Sequence, residues 1–559
     1  MKHLSSLLIA PLLLTLCINT ATAQGVLANG FTFNGTITTN GQSDSWTFVA
    51  NTGDSIVVAM GDANRTAGDL DPYLRLYGPD GALLVSGVGT FATEVTARAT
   101  NSGTFTVIAA NYDNSSPNGT GAYQLTLGKS GSPIVVAPGS MGGSMTNGFT
   151  YQGNLLAGQL SVWSFTANSG DSIVVGMGDA NRTAGDLDPY LRLYGPDGAL
   201  LASGIGTFAT EATARATNSG TFTVIAANYD SSSDGGNGTN QVTMGKSGSP
   251  IVLAPGSMGG SMTNGFTYQG NLLAGQLSVW SFTANTGDSM VVGMGDANRT
   301  AGDLDPYLRL YGPDGALLAS GIGTFATEAT ARATNSGTFT VIAANYDSSS
   351  DGGNGTNQVT MGKSGSPIVV APGDQGGSLT GAGAYNGSLL AGELDVWKFT
   401  ACAGDSMVVG MSDLNRPAGD LDPYLRLYGP DGALLGSGIG TSTTEVTAQA
   451  TNSGTFTVIA ANYDSSSDGG DGGYQLTANG LSDGFKACSP IISGTSISVS
   501  AVGGTPGTNA VLLTTTNLTT PAALWTPILT NQFDQFGVFN YSNVFNPAEP
   551  QRFFRLSEP

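Results

Sequence analysis

Histidine is almost missing from this chain of 559 residues: the one example, His3, stands just ahead of an apolar run that reads as a leader. Without imidazole in the remainder, Ser-His-Asp and Cys-His catalysis and every histidine-ligated zinc or iron site are excluded. Cysteine is nearly as scarce. Cys17 lies in the leader, which leaves Cys402 and Cys488, and an even pair in an exported chain points to a disulfide. Basic residues are few, 19 Lys and Arg against 40 Asp and Glu for a net charge of −21. Such a chain does not seek nucleic acid or anionic lipid by charge. Beyond the leader no run approaches the ~18 apolar residues needed to span a bilayer. Sustained helical periodicity is absent too. These absences argue against an enzyme, a nucleic-acid binder and a membrane-spanning protein.

Glycine, by contrast, reaches 83 residues, and Thr, Ser and Asn fill most polar positions between short alternating apolar runs. That is the composition of extracellular all-β modules. At the start, Lys2, the apolar run Leu7–Leu16 and Ala21-Thr22-Ala23 form a secretory signal peptide over residues 1–23, with cleavage after Ala23 expected. A lipoprotein reading would use Cys17, but Leu16 is too bulky for the residue before a lipidated cysteine. The expected location is therefore secreted or cell surface.

The chain is organised around AGDLDPYLRLYGPDGALL at Ala67–Leu84, which returns at Ala184, Ala301 and Ala418, 117 residues apart each time. Trp46, Trp163, Trp280 and Trp397 keep the same interval. Between Asn147–Ser247 and Asn264–Ser364 only Ser169/Thr286 and Ile173/Met290 differ. Four repeats are expected, over 24–130, 141–247, 258–364 and 375–482, with a small unrelated β domain over 490–559. Cys402 replaces the asparagine found at Asn51, Asn168 and Asn285, so a Cys402–Cys488 bridge would clamp the tail to the last copy.

Each copy contains a hairpin. Tyr73–Tyr77 alternates with period two, Gly78-Pro79-Asp80-Gly81 supplies a turn, and Ala82-Leu83-Leu84 starts the return strand. About eight strands per copy, each with one apolar face, can bury a core only as two packed sheets. Trp46 shares a face with Phe48 and is expected in that core; Tyr73, Tyr77 and Tyr112 remain open to a core or a sugar-stacking role. A unit of about 100 residues can be stable alone, so the sequence reads as beads on a string. The linkers, such as Gly128–Gly139, give a regular rise and rotation if they dock and a flexible chain if they do not.

In order, SDSWTF (Ser43–Phe48), GDSIVV (Gly53–Val58), DLDPYLRLYGPDGALL (Asp69–Leu84), NSGTFTVIAANY (Asn101–Tyr112) and GAYQLTL (Gly121–Leu127) resemble the bacterial pre-peptidase C-terminal domain family. The resemblance implies tandem jelly-roll β-sandwiches with an accessory role in secretion, stability or substrate binding; some relatives bind calcium or matrix polymers. No peptidase domain accompanies the modules here. The tail, with TNLTTPAALWTPI and PQRFFRL, looks like a terminal module common on large exported bacterial proteins.

The one candidate for chemistry is a knot of acid before each hairpin: Asp62, Asp69 and Asp71, then Asp179, Asp186 and Asp188, then Asp296, Asp303 and Asp305, then Asp413, Asp420 and Asp422. Three carboxylates within about 5 Å repel by roughly 1 kcal/mol per pair in water and more when partly buried. They must be held apart, paired with Arg65, or bridged by a cation, and calcium suits a loop of carboxylates, Asn64 and backbone carbonyls. A solvated acidic turn is the alternative. A second acidic stretch, Asp230–Gly236, reads as a bland hairpin tip. Function is expected to be non-catalytic: an adhesive, matrix or spacer array with an extracellular polysaccharide or matrix protein as partner. The alternative is a carbohydrate- or protein-binding accessory factor for a separately encoded secreted hydrolase.

Overall fold

A computed structural model describes residues 22–558 apart from 65–69, 113–118, 132, 181–186, 230–235, 249, 298–303, 347–352, 365–366, 415–420, 464–469, 482–484, 535–536, 545 and 547. Copy one runs through β1 (Thr22–Val26), β2 (Thr32–Ile37), β3 (Ser43–Ala50), β4 (Ser55–Asp62), β5 (Pro72–Tyr77), β6 (Leu83–Val88), β7 (Ala92–Arg98), β8 (Gly103–Asn111) and β9 (Gly121–Lys129). Two sheets form, ordered β1-β3-β8-β5-β6 and β2-β9-β4-β7, and the same pair recurs in every copy. The protein is all-β, a series of β-sandwiches.

Local chemistry accounts for these elements. In the β5–β6 turn the Asp80 side chain accepts from the Ala82 N–H at 3.0 Å, and Gly81 takes φ 78°, which favours glycine. Trp46, Phe48, Ile56, Val58, Met60, Leu74, Leu76, Phe105 and Val107 meet between the sheets, and the Phe48 and Phe105 rings stack at 5.4 Å. The strand β1 escapes the alternation rule. It pairs parallel to β3, and its counterparts, such as Gly142–Ser144, carry no side chains that alternate.

Each copy closes its own core, but neighbouring copies also pack on one another. A strand buried on one face only should alternate, yet β4 is buried at all eight positions, as are its counterparts Ser172–Asp179 and Ser289–Asp296. Its second face is covered by the next copy. Val57 and Ala59 pack on Leu160, Val162, Tyr194, Ile225 and Ala227, and equivalent clusters join copies two to three and three to four. In copy four the corresponding strand, Ser406–Asp413, returns to alternating burial. The linker docks as well, with Ile134 packed into the first junction and the Val135 N–H donating to the Asn29 carbonyl at 2.8 Å.

Magnitudes favour this stacking. A tethered neighbour at roughly millimolar effective concentration needs only about 4 kcal/mol to dock. Four branched side chains buried at each junction contribute about 1.5–3 kcal/mol apiece. Even after a discount for compact unfolded chains, docking wins.

Beyond copy four, Ser496–Val502 pairs with Lys486–Ala487, Ile491–Ser493 and Phe539–Val544, while Asn509–Thr515 pairs with Thr526–Gln532 and Phe553–Ser557. Ile497, Val499, Leu512, Phe533 and Phe539 form its small core. Cys402 and Cys488 are joined, with Cα atoms 5.4 Å apart.

Candidate functional site

A concave feature lies where the first two copies meet. Between copies one and two a cleft of about 300 Å³ is lined by Gly87, Val88, Thr93 and Glu94 from the first and by Gln159, Tyr190 and Tyr229, among others, from the second. Tyr190 comes from the counterpart of β5 and Tyr229 from just beyond the counterpart of β8, two neighbouring strands of one sheet. Their rings meet edge to face at 5.7 Å, and Tyr229 is 57% exposed. The pair repeats as Tyr307–Tyr346 and Tyr424–Tyr463 at the next two junctions, and as Tyr73–Tyr112 in copy one.

Beneath Tyr190, Tyr307 and Tyr424 lies a buried ion pair across the junction. The Arg192 guanidinium sits 4.3 Å from the centre of the Tyr190 ring and donates two bonds to Glu94 of copy one, one of them at 2.9 Å. Arg309 with Glu211 and Arg426 with Glu328 repeat it, each at 2.8 Å for the closer contact. Burial alone would pull the Arg192 pKa down, but the Glu94 charge and hydrogen bonds hold it above its ordinary value. Burial pushes the Tyr194 hydroxyl up to about 12 against the pull of Arg192. The cleft is therefore electrically balanced and offers aromatic edge, apolar wall and hydroxyls. It can stack on a ring or grip an apolar side chain.

No family model matches the chain, and no curated protein matches it. Among solved structures the chain is similar to the pre-peptidase C-terminal domain of a collagenase from Bacillus anthracis, at 17% identity over 19% of this chain and 96% of that one, with a TM-score of 0.16. It is also similar to PliG, a periplasmic lysozyme inhibitor from Aeromonas hydrophila, at 15% identity over 20% and 99%, TM-score 0.16. A third similarity is to the BSP domain of a biofilm associated protein, at 9% identity over 80% and 96%, TM-score 0.17. Likenesses this distant say nothing of what the chain binds.

The acidic knots are only half placed. Asp69, Asp186, Asp303 and Asp420 lie outside the described residues, as does Asp230. Asp62 ends β4, buried, and accepts from the Asn64 N–H at 2.9 Å. Asp71, Asp188, Asp305 and Asp422 each donate a backbone N–H to an asparagine side chain at the end of the β8-type strand, at 2.7, 2.9, 2.8 and 2.8 Å. Asp179, Asp296 and Asp413 are buried like Asp62. Among the described residues no three His, Cys, Asp or Glu side chains gather where they could hold an ion.

Sequence reasoning missed a different acidic cluster, at the third junction. In the first two junctions Gln159 and Gln276 donate to a threonine and a serine of the neighbouring structure, all at 3.3 Å. At the third, Glu393 replaces the glutamine and Asp374 the serine. Thr267 Oγ1 lies 2.8 Å from Asp374 and 3.0 Å from Glu393. Burial, then the Asp374 charge, pushes the Glu393 carboxyl up to about 7. Asp395 nearby is fully buried and held well above its usual range, chiefly by burial, against the Tyr474 hydrogen bond. Comparison of the copies position by position would have found the exchange.

Proposed function

We propose that this is a non-catalytic exported repeat protein: a stacked array of modules of the pre-peptidase C-terminal kind that holds one tyrosine pair at each junction and works as an adhesive or matrix element. The observation that supports it is the two-faced burial of the β4-type strand in copies one to three and its loss in copy four. Stacking fixes the spacing of the pairs, so weak single sites can engage an extended polymer together and gain avidity. The exposed tyrosines favour a polysaccharide, and they keep a second reading in play, an accessory factor that tethers a separately encoded hydrolase to its substrate.

The test is retention of the full chain on cellulose, chitin, peptidoglycan sacculi and fibrillar collagen. Retention on one of the polysaccharides is expected, with Tyr229→Ala, Tyr346→Ala and Tyr463→Ala each weakening it about tenfold, the equivalent of 1.4 kcal/mol. Binding untouched in the triple variant, or retention on none of the four, would remove the reading. Calcium is the second expectation. Asp62 and Asp71 are oxygen donors of the right kind, so EDTA should lower the melting temperature of the full chain by several degrees and Asp69→Ala should shrink that shift. An unchanged melting temperature on chelation would end the calcium idea.

A further inference from the structure

Stacked copies that are nearly identical carry a hazard. Each presents one face to the copy before and another to the copy after, and such head-to-tail contacts build filaments unless something stops them. The two outermost faces differ from the inner ones at the positions that make the junction.

On the trailing face, a Cβ added at Gly61 would lie 1.9 Å from the Ala157 carbonyl oxygen of the next copy, at Gly178 1.8 Å from that of Ala274, and at Gly295 1.7 Å from that of Ala391. Only glycine permits that approach. The fourth copy has Ser412 there. Gly128, Gly245 and Gly362 likewise leave room for an isoleucine of the following copy, 2.8–2.9 Å from an added Cβ, and the fourth copy has Asn479. Arg98, Arg215 and Arg332 donate to a carbonyl of the next copy's hairpin at 3.2 Å. Gln449 takes their place and bonds within its own copy, to the Gly404 carbonyl.

The leading face is altered in the same sense. Leu160, Leu277 and Leu394, with Val162, Val279 and Val396, fill the three junctions. In copy one these positions are Ser43 and Ser45. The C-terminal module adds a third barrier. The turn at Gly53, where a Cβ on Gly198 of the next hairpin would meet the Gly53 carbonyl at 2.2 Å, has its fourth counterpart at Gly404. That turn is instead occupied by the Cys402–Cys488 bridge and by Lys486, 2.9 Å from Asp405.

We infer that both ends of the stack are closed against a further copy, so that the chain is a rod of fixed length that does not polymerise head to tail. Charge alone would favour polymerisation, because Arg75 and Glu445 keep the charges that pair at each inner junction. Shape and lost apolar surface override it.

The closing residues can be moved inside the full chain. Gly178→Ser with Gly245→Asn gives copy two the trailing face of copy four; Leu277→Ser with Val279→Ser gives copy three the leading face of copy one. Both variants should fold, since copies one and four carry these residues in the same sandwich. Spin-label pairs across the second junction should show one narrow distance distribution in the wild type and a broad one in either variant. A pair across the first junction should stay narrow throughout. Wild-type protein should sediment as a monomer at every concentration. Narrow distances in both variants, or wild-type species that lengthen with concentration, would overturn end closure. A broad wild-type distribution at the second junction would instead remove the stack itself.

Discussion

Replacing Glu211 with alanine is expected to cost the second junction about 3–5 kcal/mol, the usual result of stripping one partner from a buried ion pair. The Arg309 side chain is 3% exposed and Glu211 24%, so the two halves of the pair are not equivalent. Without Glu211 the guanidinium stays in a dry site with the Tyr307 ring 4.3 Å from it and no counter-charge among its described contacts. Without Arg309 the carboxylate can turn toward water, so Arg309→Met should cost less, about 1–3 kcal/mol, mostly as a lost charge-assisted bond. The double variant should recover part of the loss, because no buried charge is then left alone. Urea unfolding is the measurement, and in a stack of coupled copies the expected sign is a single transition that splits in two. An Arg309→Met variant that loses more than Glu211→Ala would show that the arginine acts by packing rather than by charge.

Much of the sandwich was legible because it is built from local rules. Alternation at Tyr73–Tyr77 and Phe105–Ala109, and a turn rich in glycine and proline, are written in adjacent residues. The junctions were not legible that way. A continuous apolar run such as Ile56–Met60 reads as a strand whether its outer face meets water or another sheet, and only burial on both faces tells the two apart. The decisive letters lay in the differences between copies, at Ser412 against Gly61, Gly178 and Gly295, and at Ser43 against Leu160, Leu277 and Leu394. Near-identity of copies two and three hides such differences; the divergent ends display them.

The same lesson covers the core. In copy one Trp46 donates to Tyr123, which donates to Asp44, and Trp397, Tyr474 and Asp395 repeat this in copy four. Copies two and three have Asn240 and Asn357 for the tyrosine and Ser161 and Ser278 for the aspartate. The vacated volume is taken by methionine: a Cβ on Gly153 would strike Met141, whereas one on Gly35 would strike the Tyr123 ring. Three residues far apart in sequence change together because they fill one space. No period-two pattern contains that information. The tyrosine pairs were half visible, since Tyr73 and Tyr112 could be named as ring-stacking candidates but not as neighbours.

Acidification is expected to strengthen the third junction and leave the first two nearly unchanged. Burial and the Asp374 charge raise the Glu393 carboxyl from an ordinary 4.5 to about 7, and Asp395 moves the same way. Between pH 4.5 and 7 the folded protein therefore holds a proton that the unfolded chain has lost. Stability falls as pH rises through that window and is lowest above it, by on the order of 3 kcal/mol for Glu393 alone at about 1.4 kcal/mol per unit. Every charged group named around Glu393 has the same sign, Asp374 and Asp471, with Asp395 beside them, so only the hydrogen bonds from the Leu390 N–H and the Thr267 hydroxyl work against the repulsion. Glu393→Gln restores the residue of the other two junctions, where the amide donates to the threonine across the gap. It should raise the urea midpoint of the copy-four transition at pH 8 and flatten its pH slope, with little change at pH 4. Asp374→Ser should act in the same direction. If the wild-type midpoint were level or rising between pH 5 and 8, the three carboxylates would have to be hydrated well enough to ionise without cost, and the third junction would be as neutral in its energetics as the two before it.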